Sequence, residues 1–181
     1  MHGTAIENAK WFLENYVSRE MSGHIVEIGA HDINGSMRPL VPVKMLYTGL
    51  DLEAGQGVDI VMNDPYHIPL ADQSANIVVS TSTFEHVEFF WETFLEMARI
   101  CVTGGLIYIN SPSAGPYHPC PVDCWRFYPG AGAALEKWSI LKGVPTVLIR
   151  SHICEYTFTD DKGDVICGDQ WKDWVAVFKR L

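Results

Sequence analysis

Hydrophobic positions change their period several times along the chain. Over 5–19, Ile6, Ala9, Trp11, Phe12, Tyr16 and Val17 recur at helical spacing and predict an amphipathic helix, assigned to the segment 1–20 and ended by Gly23. From His24 the pattern becomes a short apolar run, "HIVEI", which reads as a buried strand. Three more runs, "KMLYTGLD", "GVDIVMND" and "ANIVVSTS", predict strands ending at Asp51, at Asp64 and near Thr81. "VEFFWETFLEMARIC" returns to the helical period, with Phe90, Phe94, Leu95, Met97 and Ala98 on its buried side. "GGLIYINSPS" predicts a further strand and "GAGAALEKWSIL" a short helix. "TVLIRSHICEYTF" and "DWVAVFKR" read as a closing pair of strands around the polar turn "DDKGD".

Strands that are apolar throughout, separated by helices or long crossovers, indicate a sheet covered on both faces. The expected fold is α/β: a doubly wound, Rossmann-like, mostly parallel sheet of seven strands, helices on both faces, and an antiparallel strand at one edge. The 181 residues fit a single domain, 1–181.

Composition narrows the partners. The apolar fraction of 48% and the charged fraction of 19% are those of a globular protein. The net charge is −9 and the 13 Lys and Arg residues are scattered, so nucleic acid is an unlikely partner. No apolar run reaches the roughly 20 residues of a membrane span. The start of the chain lacks the pattern of a signal peptide. Five cysteines is an odd number; Cys101, Cys154 and Cys167 stand singly, so free thiols and a cytoplasmic location are expected. Oligomerisation is left open.

The stretch "HIVEIGAHDINGSMRPL" carries the first chemical signal. A strand followed by glycine is the start of a nucleotide-binding loop, yet His31 and Ile33 stand where a dinucleotide loop needs its second and third glycines. No Lys or Arg stands beside a phosphate seat. Asp51, about twenty residues downstream at the end of the second strand, is placed to hold ribose hydroxyls. Glu27 lies in the first strand and Asp64 ends the third. Asp51 or Asp64 alone reads equally well as a loop acid, and Gly29 alone as a common strand-end glycine. Together and in order they suggest a ligand with a ribose but no pyrophosphate, which S-adenosylmethionine (SAM) satisfies. An NAD-linked oxidoreductase is disfavoured by the broken glycine pattern.

The ordered set "VEIGA", "YTGLDLE", "VMNDPYHIPLADQSANIVVSTSTFEHV" and "RICVTGGLIYINSPS" resembles the class I SAM-dependent methyltransferases, especially the small type-11-like branch, over about 24–138. The variant loop "GAHDINGS" resembles a sub-branch in which Asn34, Gly35 and Ser36 make the tight turn. The resemblance implies SAM as cofactor and S-adenosylhomocysteine as product. It implies Glu27, Gly29, Ala30 and Gly35 around the methionine tail and its loop, Asp51 and Leu52 at the ribose, and Asn63 and Asp64 at the adenine. It implies that Thr81 offers its backbone to the ammonium group.

Acceptor chemistry is expected after the fourth and fifth strands, next to the methyl group. The long connection 111–130, "SPSAGPYHPCPVDCWRFYPG", is rich in Pro, aromatic and acid/base residues. His118 is the candidate proton acceptor and Asp123 its orienting partner. His86, Tyr117, Trp125 and Arg126 are candidate acceptor contacts. The bland alternative is an Asp123–Arg126 structural salt bridge with Trp125 and Phe127 plugging the core. Cys120 and Cys124 with His118 do not have finger-like spacing, so no metal is expected. The expected activity is methyl transfer to a small or carbohydrate-like acceptor, on oxygen; the alternative is a non-catalytic SAM-binding or partner-binding module.

Overall fold

The computed structural model describes residues 3–154, 157–159, 165–167 and 171–181. The polar turn at 160–164 and the side chain of Cys167 lie outside the described residues. In chain order the elements are α1 (Gly3–Tyr16), β1 (Gly23–Ile28), β2 (Met45–Asp51), β3 (Ile60–Val61) and β4 (Ala75–Thr81). Then follow α2 (Phe90–Ile100), β5 (Cys101–Ala114), α3 (Gly130–Leu141), β6 (Thr146–Cys154), β7 (Thr157–Thr159), β8 (Val165–Cys167) and β9 (Lys172–Arg180). Two short 3-10 turns, Arg38–Leu40 and Phe84–His86, interrupt the connections.

Seven strands form one sheet in the order β3-β2-β1-β4-β5-β9-β6, and β7 pairs with β8 in a separate ribbon. β1, β2, β3, β4 and β5 pair in parallel, while β9 runs antiparallel to both β5 and β6. The antiparallel element therefore falls at the β6 end of the sheet, with β9 inserted between β5 and β6. Chain order reverses between β1 and β4, which opens a crevice at their carboxyl ends.

Each central strand buries both faces, which explains the apolar runs. Val78, Ile107, Ile109, Trp174, Ala176 and Phe178 face one core, under α2 and α3. Ile25, Ile77, Val79, Tyr108, Val175 and Val177 face the other, where α1 lays Ala9, Phe12 and Leu13 against the sheet. Helices on both faces are thus present. Phe12 and Tyr108 stack with ring centroids 4.5 Å apart, and both are fully buried.

Several connections differ from the sequence pattern. β3 is two residues long rather than a strand running to Asp64. The chain leaves the sheet after Met62, whose N–H donates to the Asp51 carbonyl at 2.7 Å, and Asp64 closes the following turn by accepting the Tyr66 N–H at 2.8 Å. Among the described residues, the 29–44 connection holds only the Arg38–Leu40 turn, where Pro39 and Pro42 discourage a longer helix. The loop 62–74 is fastened instead by Arg99 of α2. Its guanidinium donates to the Ile68 and Leu70 carbonyls and to Glu96 and Asp72, all within 2.9 Å. β5 begins at Cys101, directly after α2, and its register irregularity is taken up at Gly104, where φ is +84°.

Phe12→Ala should lower unfolding free energy by about 3–5 kcal/mol, the cost of deleting a buried aromatic ring. Urea denaturation reads this, and a loss below about 1 kcal/mol would show that α1 is not held by this stack.

Candidate active site

The turn after β1 is fixed onto β2. The N–H groups of Gly29 and Ala30 both donate to the Leu50 carbonyl, at 2.8 and 3.0 Å. Gly29 has φ of +81°, and a Cβ there would lie 1.9 Å from the Thr83 hydroxyl oxygen, so the position requires glycine on two counts. Asp51, half-buried at the end of β2, closes the same corner. One carboxylate oxygen accepts the His31 N–H at 3.0 Å and the other accepts the Glu53 N–H at 3.3 Å. Asp32 accepts the Gly35 N–H at 2.8 Å and so makes the tight turn at 34–36, where Gly35 has φ of +127°. The loop then returns along 55–59: Asp32 N–H donates to the Gln56 carbonyl, and Arg38 binds the Gly57 carbonyl at 3.0 Å and pairs with Asp59. Leu52, Asn63 and Asp64 are exposed around the far side of this corner.

Glu27 is buried behind the turn, 2% exposed. One oxygen accepts from the Tyr47 hydroxyl and the other from the Thr81 hydroxyl at 2.9 Å. Burial pushes the Glu27 carboxyl upward despite those two hydrogen bonds, and burial with the adjacent Glu27 pushes the Tyr47 hydroxyl upward as well. The Thr81 carbonyl accepts from the Thr83 hydroxyl at 3.0 Å. Glu27 and Thr81 thus brace β1, β2 and β4 against one another at the crevice.

The acceptor side lies past β4 and β5. Ser82 sits at φ of +50°, with its N–H donating to the Asn110 carbonyl at 2.8 Å. The Phe84–His86 turn then buries Glu85, 1% exposed, and presents His86. Burial pushes the Glu85 carboxyl up to about 8, with Asp173 adding to the rise against its own backbone N–H, the nearby Ser111 hydroxyl and Arg126. Burial pushes His86 down. The His86 Nδ1 lies 2.5 Å from the Val122 carbonyl, so Nδ1 carries the proton, and its Nε2 faces Glu85 at 3.7 Å.

The 111–130 connection meets this turn. The rings of His86 and His118 pack edge to face, centroids 5.0 Å apart, and Trp171 packs on His118 from another side. Asp123 accepts the His118 N–H at 2.8 Å and lies 3.3 Å from its Nδ1. Arg126 grips both Asp123 oxygens in a fork and donates to the Pro116 carbonyl at 2.8 Å. That fork, with the His118 N–H, holds the Asp123 carboxyl well below the usual carboxylate range. Asp123 therefore contacts His118 and is also half of a salt bridge with Arg126. Trp125 spends its indole N–H on the Val87 and Glu88 carbonyls, Phe127 is buried against Trp174 and Phe90, and Tyr117 is 75% exposed. Of the acceptor-side candidates, His86, His118, Asp123 and Arg126 come together; Tyr117 and Trp125 do not join them.

A further polar layer escapes sequence reading. Asn8 of α1 donates to the Asn110 side-chain oxygen at 2.7 Å and reaches Asp173 of β9 at 3.5 Å. Asn110, Ser111 and Asp173 are all buried. Glu85 Oε2, Ser80 Oγ, Asn110 Nδ2 and Ser111 Oγ have no hydrogen-bond partner among the described residues. The available signal was polar residues at the ends of apolar strands, as in "LIYINS", and a Glu-His pair between aromatic and aliphatic neighbours.

The sequence profile of the "Methyltransferase domain" family matches residues 17–109, just over half of the chain. Among curated proteins none matches. An S-adenosylmethionine-dependent methyltransferase from Mesorhizobium loti has a TM-score of 0.65 at 14% identity, covering 97% of this chain and 100% of its own. A putative methyltransferase from Bacillus halodurans C-125 has a TM-score of 0.64 at 12% identity, covering 98% of this chain and 99% of its own. The cyclase SpnF has a TM-score of 0.63 at 9% identity, covering 96% and 80%. At these identities the likenesses are of fold.

Tyr47→Phe should cost about 1–3 kcal/mol of stability in urea unfolding, because it leaves a buried Glu27 oxygen without its donor. An unchanged midpoint would mean that Glu27 is not held by Tyr47.

Proposed function

The chain belongs to the methyltransferase domain family, whose methyl donor is S-adenosylmethionine, and on that premise we propose that it methylates an oxygen of a small, hydroxylated, carbohydrate-like acceptor. The observation that carries the acceptor class is the set of buried polar atoms without a hydrogen-bond partner among the described residues on one face of the sheet at the carboxyl ends of β4 and β5: Glu85 Oε2, Ser80 Oγ and Ser111 Oγ. A buried polar atom left without a partner costs about 1–3 kcal/mol, so these atoms favour a ligand that supplies several donors and acceptors. A hydroxylated molecule does; an apolar one does not.

The residues at the crevice fit the donor. The Gly29 turn packs bare backbone against Thr83, where any side chain would collide, and Asp51 keeps lone-pair capacity on both oxygens for ribose hydroxyls. Gly29 and Ala30 would line the methionine portion, with Glu27 and Thr81 bracing the wall behind it. Gly35 shapes the first loop, Leu52 would cover the ribose, and Asn63 and Asp64 would meet the adenine. When bound, the donor supplies an electrophilic methyl group on a sulfonium. The protein's task is to bring the acceptor oxygen into line with it and to keep water out. His118, oriented by Asp123 and packed on His86, is the acceptor-side contact closest in kind to that task.

Calorimetry should show SAM binding to the full chain, and Asp51→Ala should weaken it by about 1–3 kcal/mol with the fold intact. Tighter binding of NAD than of SAM would overturn the reading of the donor site. Release of S-adenosylhomocysteine with one member of a panel of sugars and hydroxy acids is the expected turnover result. Binding of SAM with no turnover across that panel would favour the non-catalytic module instead.

A further inference from the structure

Three side chains at the acceptor side have the composition of a cation site. Glu85, His86 and His118 each place one donor atom within 4.8 Å of the other two. Two of them follow β4 in the Phe84–His86 turn, and the third arrives from the 111–130 connection, so the fold itself assembles the group. We infer that Glu85, His86 and His118 bind a divalent first-row transition cation.

The outer contacts of both imidazoles are those of metal-ligating histidines. Such a histidine commonly donates its second ring N–H to a backbone carbonyl or a carboxylate, which fixes the tautomer and the ring orientation. His86 Nδ1 donates to the Val122 carbonyl at 2.5 Å, which leaves the lone pair on Nε2, the atom 3.7 Å from Glu85 Oε1. His118 Nδ1 lies 3.1 Å from the Pro116 carbonyl and 3.3 Å from Asp123 Oδ2, which places its lone pair on Nε2 too. Arg126 in turn secures Asp123 and the Pro116 carbonyl, its Nη2 lying 3.5 Å from the same His118 Nδ1.

Glu85 supplies the independent observation. It is 1% exposed, and its Oε2 has no hydrogen-bond partner among the described residues. The guanidinium of the connection, Arg126, is already committed to Asp123. A buried carboxyl in that position stays neutral unless it is paired or coordinates a metal, and a bound cation would take the place of its proton. A cation with bonds of about 2.1 Å brings donors to about 3.4 Å apart in a tetrahedral shell. Loading therefore draws the three groups together by up to about 1.4 Å, within reach of side-chain torsions. Two imidazoles and one carboxylate suit Zn2+, Co2+, Fe2+ or Mn2+ better than the all-oxygen shell preferred by Ca2+ or Mg2+.

Three protein ligands leave coordination positions for an oxygen donor. On the methyl-transfer reading above, and only on it, those positions take an acceptor hydroxyl, so His118 serves as a ligand rather than as the proton acceptor. Binding of the cation itself does not depend on that reading.

The experiment uses the full chain, stripped with a chelator and titrated with Co2+ by calorimetry and by visible absorption. The expected result is one Co2+ per chain, with d–d bands and no thiolate-to-cobalt charge transfer. Glu85→Gln and His118→Ala should each weaken binding at least tenfold, while a Cys120→Ser, Cys124→Ser double variant binds as the parent does. His118 is on a partly exposed loop, so its variant tests the site if Glu85→Gln fails to fold. Absence of stoichiometric binding would overturn the proposal. So would binding that survives the Glu85 and His118 variants, or binding that is lost with the two cysteines. SAM affinity measured on the same stripped protein separates this outcome from failure of the donor reading: a chain that binds SAM but no cobalt loses the cation site alone.

Discussion

One carbonyl oxygen, that of Leu50, receives two N–H groups from the turn after β1, those of Gly29 and Ala30. The parallel pairing of β1 with β2 ends at Ile28, opposite Leu50, and the chain turns there on these two hydrogen bonds. Once it does, Asp51 comes beside the His31 N–H, and the crevice between β1 and β4 acquires a floor of backbone. Glu27, locked by Tyr47 and Thr81, ties the same three strands from behind. The two sets of contacts act on the same strands from opposite ends of one short segment, so this corner is cross-braced within the protein itself.

The acceptor corner is held differently. It depends on main-chain to main-chain hydrogen bonds made by a long connection, with Cys124 N–H on the Glu85 carbonyl at 2.7 Å and Phe127 N–H on the Pro112 carbonyl at 2.9 Å. Phe127 then anchors the segment by packing on Trp174, centroids 5.2 Å apart. A cross-braced corner beside a connection pinned at a few points is an arrangement in which one fold can keep its frame while its loops vary.

The strands that bury both faces were legible, since β1, β2, β4, β5 and β9 are apolar runs whose length matches their strands. Strand order was not: nothing in the pattern of "DWVAVFKR" distinguishes a strand at the rim from one slipped between β5 and β6, because both bury apolar side chains. The absence of a helix in 29–44 was foreshadowed by Pro39 and Pro42 and by the missing glycines, which remove both the helix and the close phosphate approach. β3 was overestimated because "GVDIVMND" is apolar for packing reasons: Met62 belongs to the core although it lies beyond the strand. Within the site, Gly29, Asp51, His86 and His118 stood out by type and position. Glu85, Asn8 and Asp173 did not, since a buried acid and a buried amide carry no local periodicity and acquire meaning only when α1, β4 and β9 meet.

The two rims of the sheet are guarded in different ways. At one rim β3 offers two residues, too few to template another strand. At the other, β6 is longer and leaves Val147 and Ile149 in part exposed, but its pairing with β9 is interrupted between Leu148 and Arg150, and Arg150 puts a charge there. An irregular, charged rim twists away from a flat neighbour and resists continuous pairing. Both described rims are therefore poor templates for edge-to-edge pairing between copies of this chain.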